Sequence, residues 1–147
     1  MTDATGVIAQ GEEDGLPVLY RYIDETPSDE RRQQLQWLTV IEWLYDREVR
    51  NGMPPEDVNA QMVVLEETIE DRVVEPGFCE HAVSRTGNGK KEFSYYIHDR
   101  DAFIERFNEA LAGQPVYPIE ITFFHDPEWK DFSMIRSMAE GAPAAQG

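Results

Sequence analysis

No part of this chain leaves fewer options than residues 35–45, LQWLTVIEWLY. Read with the two-residue period of a strand, Leu35, Trp37, Thr39, Ile41, Trp43 and Tyr45 fall on one face and Leu38, Val40 and Leu44 on the other. A strand that is apolar on both faces must be covered on both. The run is therefore expected near the centre of a sheet, its second face closed by a helix or by another subunit.

The segments around it supply that sheet. LPVLYRYI, residues 16–23, alternates well enough for a strand, with Pro17 near its start. The charged stretch DETPSDERRQ reads as a connection. After Asn51-Gly52, Pro54 or Pro55 and the acidic pair Glu56-Asp57 mark a helix start, and Val58, Met62, Leu65, Ile69 and Val73 form one apolar stripe until Pro76-Gly77. FCEHAVSRT and KEFSYYIHD flank Gly87-Asn88-Gly89 as a hairpin. Asp99 caps a second helix with Phe103, Phe107, Ala110 and Leu111 inward, VYPIEITFF is a further strand, and a short helix begins at Asp126-Pro127. The expected fold is α+β: a mostly antiparallel sheet of about five strands in ββα-ββαβ order, two main helices packed on one face, and a short C-terminal helix. Residues 1–15 read as an acidic tail, 16–139 as a single domain and 140–147 as a second tail.

Composition narrows the function. Three Trp, six Tyr and seven Phe supply a core, so the chain is not a disordered acidic segment. With 29 acidic against 13 basic residues the net charge is −16, which speaks against nucleic acid or an anionic membrane as partner. Cys79 stands alone, without a second cysteine for a disulfide or a zinc pair. Neither a secretory leader nor a membrane span is legible, so a cytoplasmic location is expected.

Several stretches together resemble a known bacterial family. NGMPPEDVNAQMVVLEETIEDRV, RTGNGKKEFSYYI and YPIEITFFHDPEWKDF are similar to the family called domain of unknown function 695, with Gly52, Pro54 or Pro55, Glu66, Gly89, Tyr96, Asp126 and Trp129 as the matching positions. The resemblance covers roughly residues 16–137 and implies a small α+β domain. It implies no reaction.

Candidate sites each have a structural alternative. His98-Asp99-Arg100-Asp101 and His125-Asp126-Pro127-Glu128 sit where strands give way to helices. His98, Asp99, His125 and Asp126 would suit a divalent metal or a general base if they converged; otherwise the two aspartates are helix caps. Cys79 and His81 stand two apart on a strand, too far for a nucleophilic pair, and the basic loop Arg85–Lys91 lacks the phosphate-loop spacing, so its lysines are expected in solvent. Glu66, Glu67, Glu70 and Asp71 form an acidic ridge on the first helix, either a solvated face or a docking surface for a basic partner. Tyr96 and Trp129 read most simply as core, with an aromatic pocket as the functional alternative.

No catalytic residue is assigned and no cofactor is expected. The favoured reading is a non-enzymatic acidic interaction or regulatory module that also forms a homodimer. The alternatives are a metal-assisted hydrolase using the His/Asp clusters and a small-ligand-binding domain.

Overall fold

The structure, a computed structural model, describes residues 7–23 and 27–141. The elements run β1 (Val7–Glu13), β2 (Leu16–Tyr22), α1 (Asp29–Gln34), β3 (Trp37–Leu44), α2 (Glu56–Arg72), β4 (Cys79–Gly87), β5 (Lys90–Ile97), α3 (Arg100–Ala110), β6 (Ile119–His125) and α4 (Lys130–Gly141). They build one six-stranded sheet in the order β1-β2-β4-β5-β3-β6, with every pairing antiparallel. The chain is α+β as expected.

The doubly apolar run becomes β3, paired with β5 on one side and β6 on the other. Its first face meets α2 and α3: Ile41 and Trp43 pack with Met62, Leu65 and Ile69 of α2 and Phe103 and Phe107 of α3. Burying each such side chain stabilises the fold by roughly 1.5–3 kcal/mol. The stripe read at helical spacing is thus the stripe that is buried.

The two main helices, α2 and α3, share one face as expected, and of the two covers considered for the second face, a helix or another subunit, the chain supplies a helix, α4. This helix crosses the second face, where Trp129 and Phe132 pack with Leu38, Tyr96, Ala82, Val83 and Ala9. The physical reason is the second apolar row of β3 itself: Leu38 is 5% exposed because α4 and its approach cover it. Where a short closing helix was expected, α4 runs 12 residues, one more than the 11 of α3. The cover is partial. Val40 remains half-buried and Leu44 is exposed.

A sixth strand lies where a tail was expected. β1 pairs with β2 from Val7↔Tyr22 to Glu13↔Leu16, around a turn in which Asp14 and Gly15 both have positive φ, 55° and 78°. Asp-Gly is a strong signal for such a hairpin turn. The strand is polar because only Ala9 is buried in it. The outer parts of both expected tails, residues 1–6 and 142–147, lie outside the described residues. A further difference is α1, where a plain connection was read. Ser28 accepts a hydrogen bond from the Arg31 amide at 3.2 Å to start it, and Leu35 ends it instead of opening β3.

The β4–β5 hairpin turns at Asn88-Gly89, φ 52° and 82°, the two positive angles a two-residue turn of this hand needs. A bulge between His81 and Val83 reverses the facing of β4, so that Cys79 belongs to the first core and Ala82 and Val83 to the second. No helix among the described residues is long and apolar enough to cross a membrane.

Candidate functional site

The entry into α4 is organised around one carboxylate. Asp126 Oδ1 accepts the Lys130 amide at 2.8 Å, and Oδ2 accepts both the Asp131 amide at 3.0 Å and the Tyr96 hydroxyl at 2.7 Å. These amides would otherwise be unpaired at the helix start. The cap is reached from further back than the expected N-cap and first-turn proline, because the tight turn 126–129 places Trp129 directly before the helix. Trp129 has φ +56°, a conformation that costs a non-glycine residue on the order of 1 kcal/mol. Two contacts hold it there. Its ring stacks on Tyr96 at 3.9 Å and 9°, and its Nε1–H donates to the Leu35 carbonyl at 2.8 Å.

Tyr96 and Trp129 therefore lie against each other, each 1% exposed, and form the buried seat of α4. Burial, and then the hydrogen bond to Asp126, hold the Tyr96 phenol far above its ordinary pKa. Beside that seat the sheet is uncovered. A groove of about 640 Å³ runs between α4 and the outer halves of β5, β3 and β6. Leu38, Val40, Phe124, Met134 and Ile135 give it apolar walls. Phe124 and Met134 are 50% and 61% exposed, more than apolar residues of this size need be.

The rim of the groove is acidic, with Glu42, Glu92, Asp126 and Asp131 against Lys130 among the lining residues. Lys90 lies near Glu42 and Glu92, at 3.9 and 3.7 Å, and Lys130 reaches Glu128 at 3.5 Å. The Asp131 carboxyl is pushed above its ordinary pKa by burial first and by the charges of Asp126 and Glu92 next. A cation entering the groove would relieve that repulsion.

The remaining sequence candidates separate. Asp99 caps α3 by accepting the Ala102 amide at 2.8 Å. His98 Nδ1 donates to the Gln34 carbonyl at 2.9 Å, while His125 tilts against Trp37 and lies 3.3 Å from Gln36 Oε1. His98, Asp99, His125 and Asp126 each have a separate partner, and no cluster of three or more metal-ligating side chains occurs among the described residues. The acidic ridge divides as well. Glu70 accepts a hydrogen bond from buried His81 at 3.1 Å with Glu66 3.7 Å away, whereas Glu67 and Asp71 stay on the exposed side. In the basic loop, Arg85 is buried, donating to the Gly87 carbonyl and to Glu13, and so is not a solvent-facing charge.

Sequence reading missed the groove because its parts are scattered. Glu42 and Glu92 are adjacent only through strand register, paired across β3 and β5. A legible signal was present in α4, where Met134 and Met138 lie on the side away from Phe132.

The sequence model of a family described as "Family of unknown function (DUF695)" matches residues 10–134. No curated protein and no solved structure matches the chain.

Proposed function

The chain belongs to DUF695, a family of unknown function, and on that premise we propose that it is a non-enzymatic binding module whose groove beneath α4 takes a basic amphipathic segment of a protein partner. The observation that carries this reading is the groove itself: exposed Phe124 and Met134 beside Glu92, Asp126 and Asp131. Apolar walls offer burial, methionine adapts to varied side chains, and the acidic rim selects the sign of the partner. The partner docks here in preference to the 66–71 ridge, because Glu66 and Glu70 already face His81.

The test is fluorescence anisotropy with a labelled lysine–leucine amphipathic helix, beside a glutamate–leucine counterpart. The basic peptide binds with an affinity that falls as salt rises, and the double variant F124A/M134A weakens it roughly tenfold or more. Both replaced side chains are half exposed or more, so the fold persists. Equal binding of the acidic peptide, or unchanged affinity in the double variant, sinks the reading. Light scattering separates the other occupant: a homodimer that F124A/M134A dissociates would assign the groove to a second copy and overturn the partner proposed here.

A further inference from the structure

The opposite face of the sheet carries a second cavity whose charge runs against that of the whole protein. It has a volume of about 400 Å³ and lies beyond the start of α2, where that helix leaves β2 and β4 uncovered. Arg21 of β2, Arg50, Asn59 of α2, Ser84 and Thr86 of β4 and Lys91 of β5 line it, with no carboxylate among its described lining residues. The chain has 29 acidic and 13 basic residues, so a cavity with three cations and no acid departs from its composition.

Register explains how they meet. Arg21 stands opposite Ser84, and Lys91 opposite Thr86, so each cation shares its face of the sheet with a hydroxyl from β4. The loop before α2 then brings Arg50, whose guanidinium is oriented by a 3.1 Å hydrogen bond to the Pro54 carbonyl. Lys91 is half-buried, its ammonium 5.2 Å from the centre of the Phe93 ring. Burial lowers its pKa; the Glu66 charge acts in the other direction, and the Arg21 charge adds a smaller lowering. At the mouth, Ile8 and Leu19 are 57% and 38% exposed and offer an apolar surface next to the charges.

We propose that this cavity binds a small organic phosphate. The phosphate lies between Arg21, Arg50 and Lys91, receives hydrogen bonds from Ser84 and Thr86, and rests its apolar part on Ile8 and Leu19. Guanidinium groups match phosphate oxygens in pairs, and an ammonium adds a point charge. A monocarboxylate, with one charge and two oxygens, would leave much of this set unsatisfied.

The experiment is a titration of the full chain, followed by amide NMR, with phenyl phosphate, inorganic phosphate and benzoate at constant ionic strength. Phenyl phosphate gives saturable shifts at millimolar concentration or below, centred on Leu19, Arg21, Ser84, Thr86 and Lys91, and leaves Met134 and Phe124 unmoved. Inorganic phosphate binds more weakly, and benzoate weaker still. R21Q and K91Q each lower phenyl phosphate affinity roughly tenfold. Arg21 is exposed, so R21Q retains the fold even if K91Q does not. No saturable shift, shifts centred elsewhere, unchanged affinity in R21Q, or benzoate binding as tightly as phenyl phosphate overturns the proposal. Equal affinity for inorganic and phenyl phosphate overturns its organic part. None of these results depends on what the α4 groove binds.

Discussion

Replacing Tyr96 by Phe isolates the bond that seats α4. The ring and its stack on Trp129 remain, while the hydroxyl that donates to Asp126 at 2.7 Å and accepts from the Phe132 amide at 3.3 Å is lost. A hydrogen bond to a charged acceptor contributes about 1.5–3 kcal/mol. The longer bond from Phe132 adds at most about 1 kcal/mol, and Asp126 keeps two backbone donors, so the expected net cost is about 2–3 kcal/mol. Urea unfolding should show a lower midpoint at unchanged slope, and Tm should fall by roughly 5–12 °C. D126N and the double variant complete a cycle whose coupling energy should be at least about 1 kcal/mol. A loss below about 0.5 kcal/mol, or strict additivity with D126N, would refute the assignment of this bond as the seat of the helix. Because α4 forms one wall of the groove, Y96F should also weaken the basic peptide, although Tyr96 is not among the groove-lining residues.

Asp131 should behave in the opposite sense. Its folded pKa lies above the unfolded value, so its charge destabilises the fold at neutral pH, and the penalty disappears as pH falls through the folded pKa. D131N is expected to raise stability at pH 7 by no more than about 0.5 kcal/mol after solvent screening, with the gain vanishing in acid and peptide affinity reduced. A loss of stability at neutral pH would contradict this. Gly87→Ala is expected to cost at least about 3 kcal/mol, because a Cβ there would meet the Pro17 carbonyl at 2.5 Å and Val18 Cα at 2.9 Å with φ at +148°; a variant with wild-type urea midpoint would show that β2 gives way easily. Cys79 is fully buried, and burial, then Glu70, pushes its thiol pKa up. Native protein should label with a thiol reagent only as fast as it unfolds, and rapid labelling would count against the buried placement. Added Zn²⁺ or Mn²⁺ should leave Tm unchanged, since His98, Asp99, His125 and Asp126 have separate partners; a rise lost in H98A/H125A would restore the metal reading.

How far the sequence could be read depended on whether a signal was local. The α2 stripe repeats within one element, and Asn88-Gly89 dictates its own turn, so both were legible. The same turn chemistry at Asp14-Gly15 does not announce a hairpin, because the strand before it buries only Ala9 and has no apolar alternation. The bulge at His81/Val83 carries no residue type that demands it, yet it decides which β4 side chains face which helix layer. Asp99 and Asp126 were recognisable as caps. The partnership of Asp126 with Tyr96, 30 residues away, exists only after β5 and β6 flank β3.

The doubly apolar strand posed a choice between helix and subunit, and its two ends give different answers. At Leu38 the cover is Trp129 and Phe132, supplied by the chain itself. At Val40 and Glu42 the same face opens into the groove, so an apolar residue and a carboxylate stand next to each other where a partner can reach them. Neighbouring β5 makes the division of charge sharper. Lys91 lines the basic cavity and Glu92, the next residue, lines the acidic groove, because consecutive strand residues point to opposite faces. A net charge of −16 thus conceals a sheet with opposite local signs on its two sides. The swap K91E/E92K should therefore impair both the phosphate titration and the peptide titration while leaving the net charge unchanged. If only one responds, the two sites do not share β5 in the way the register requires.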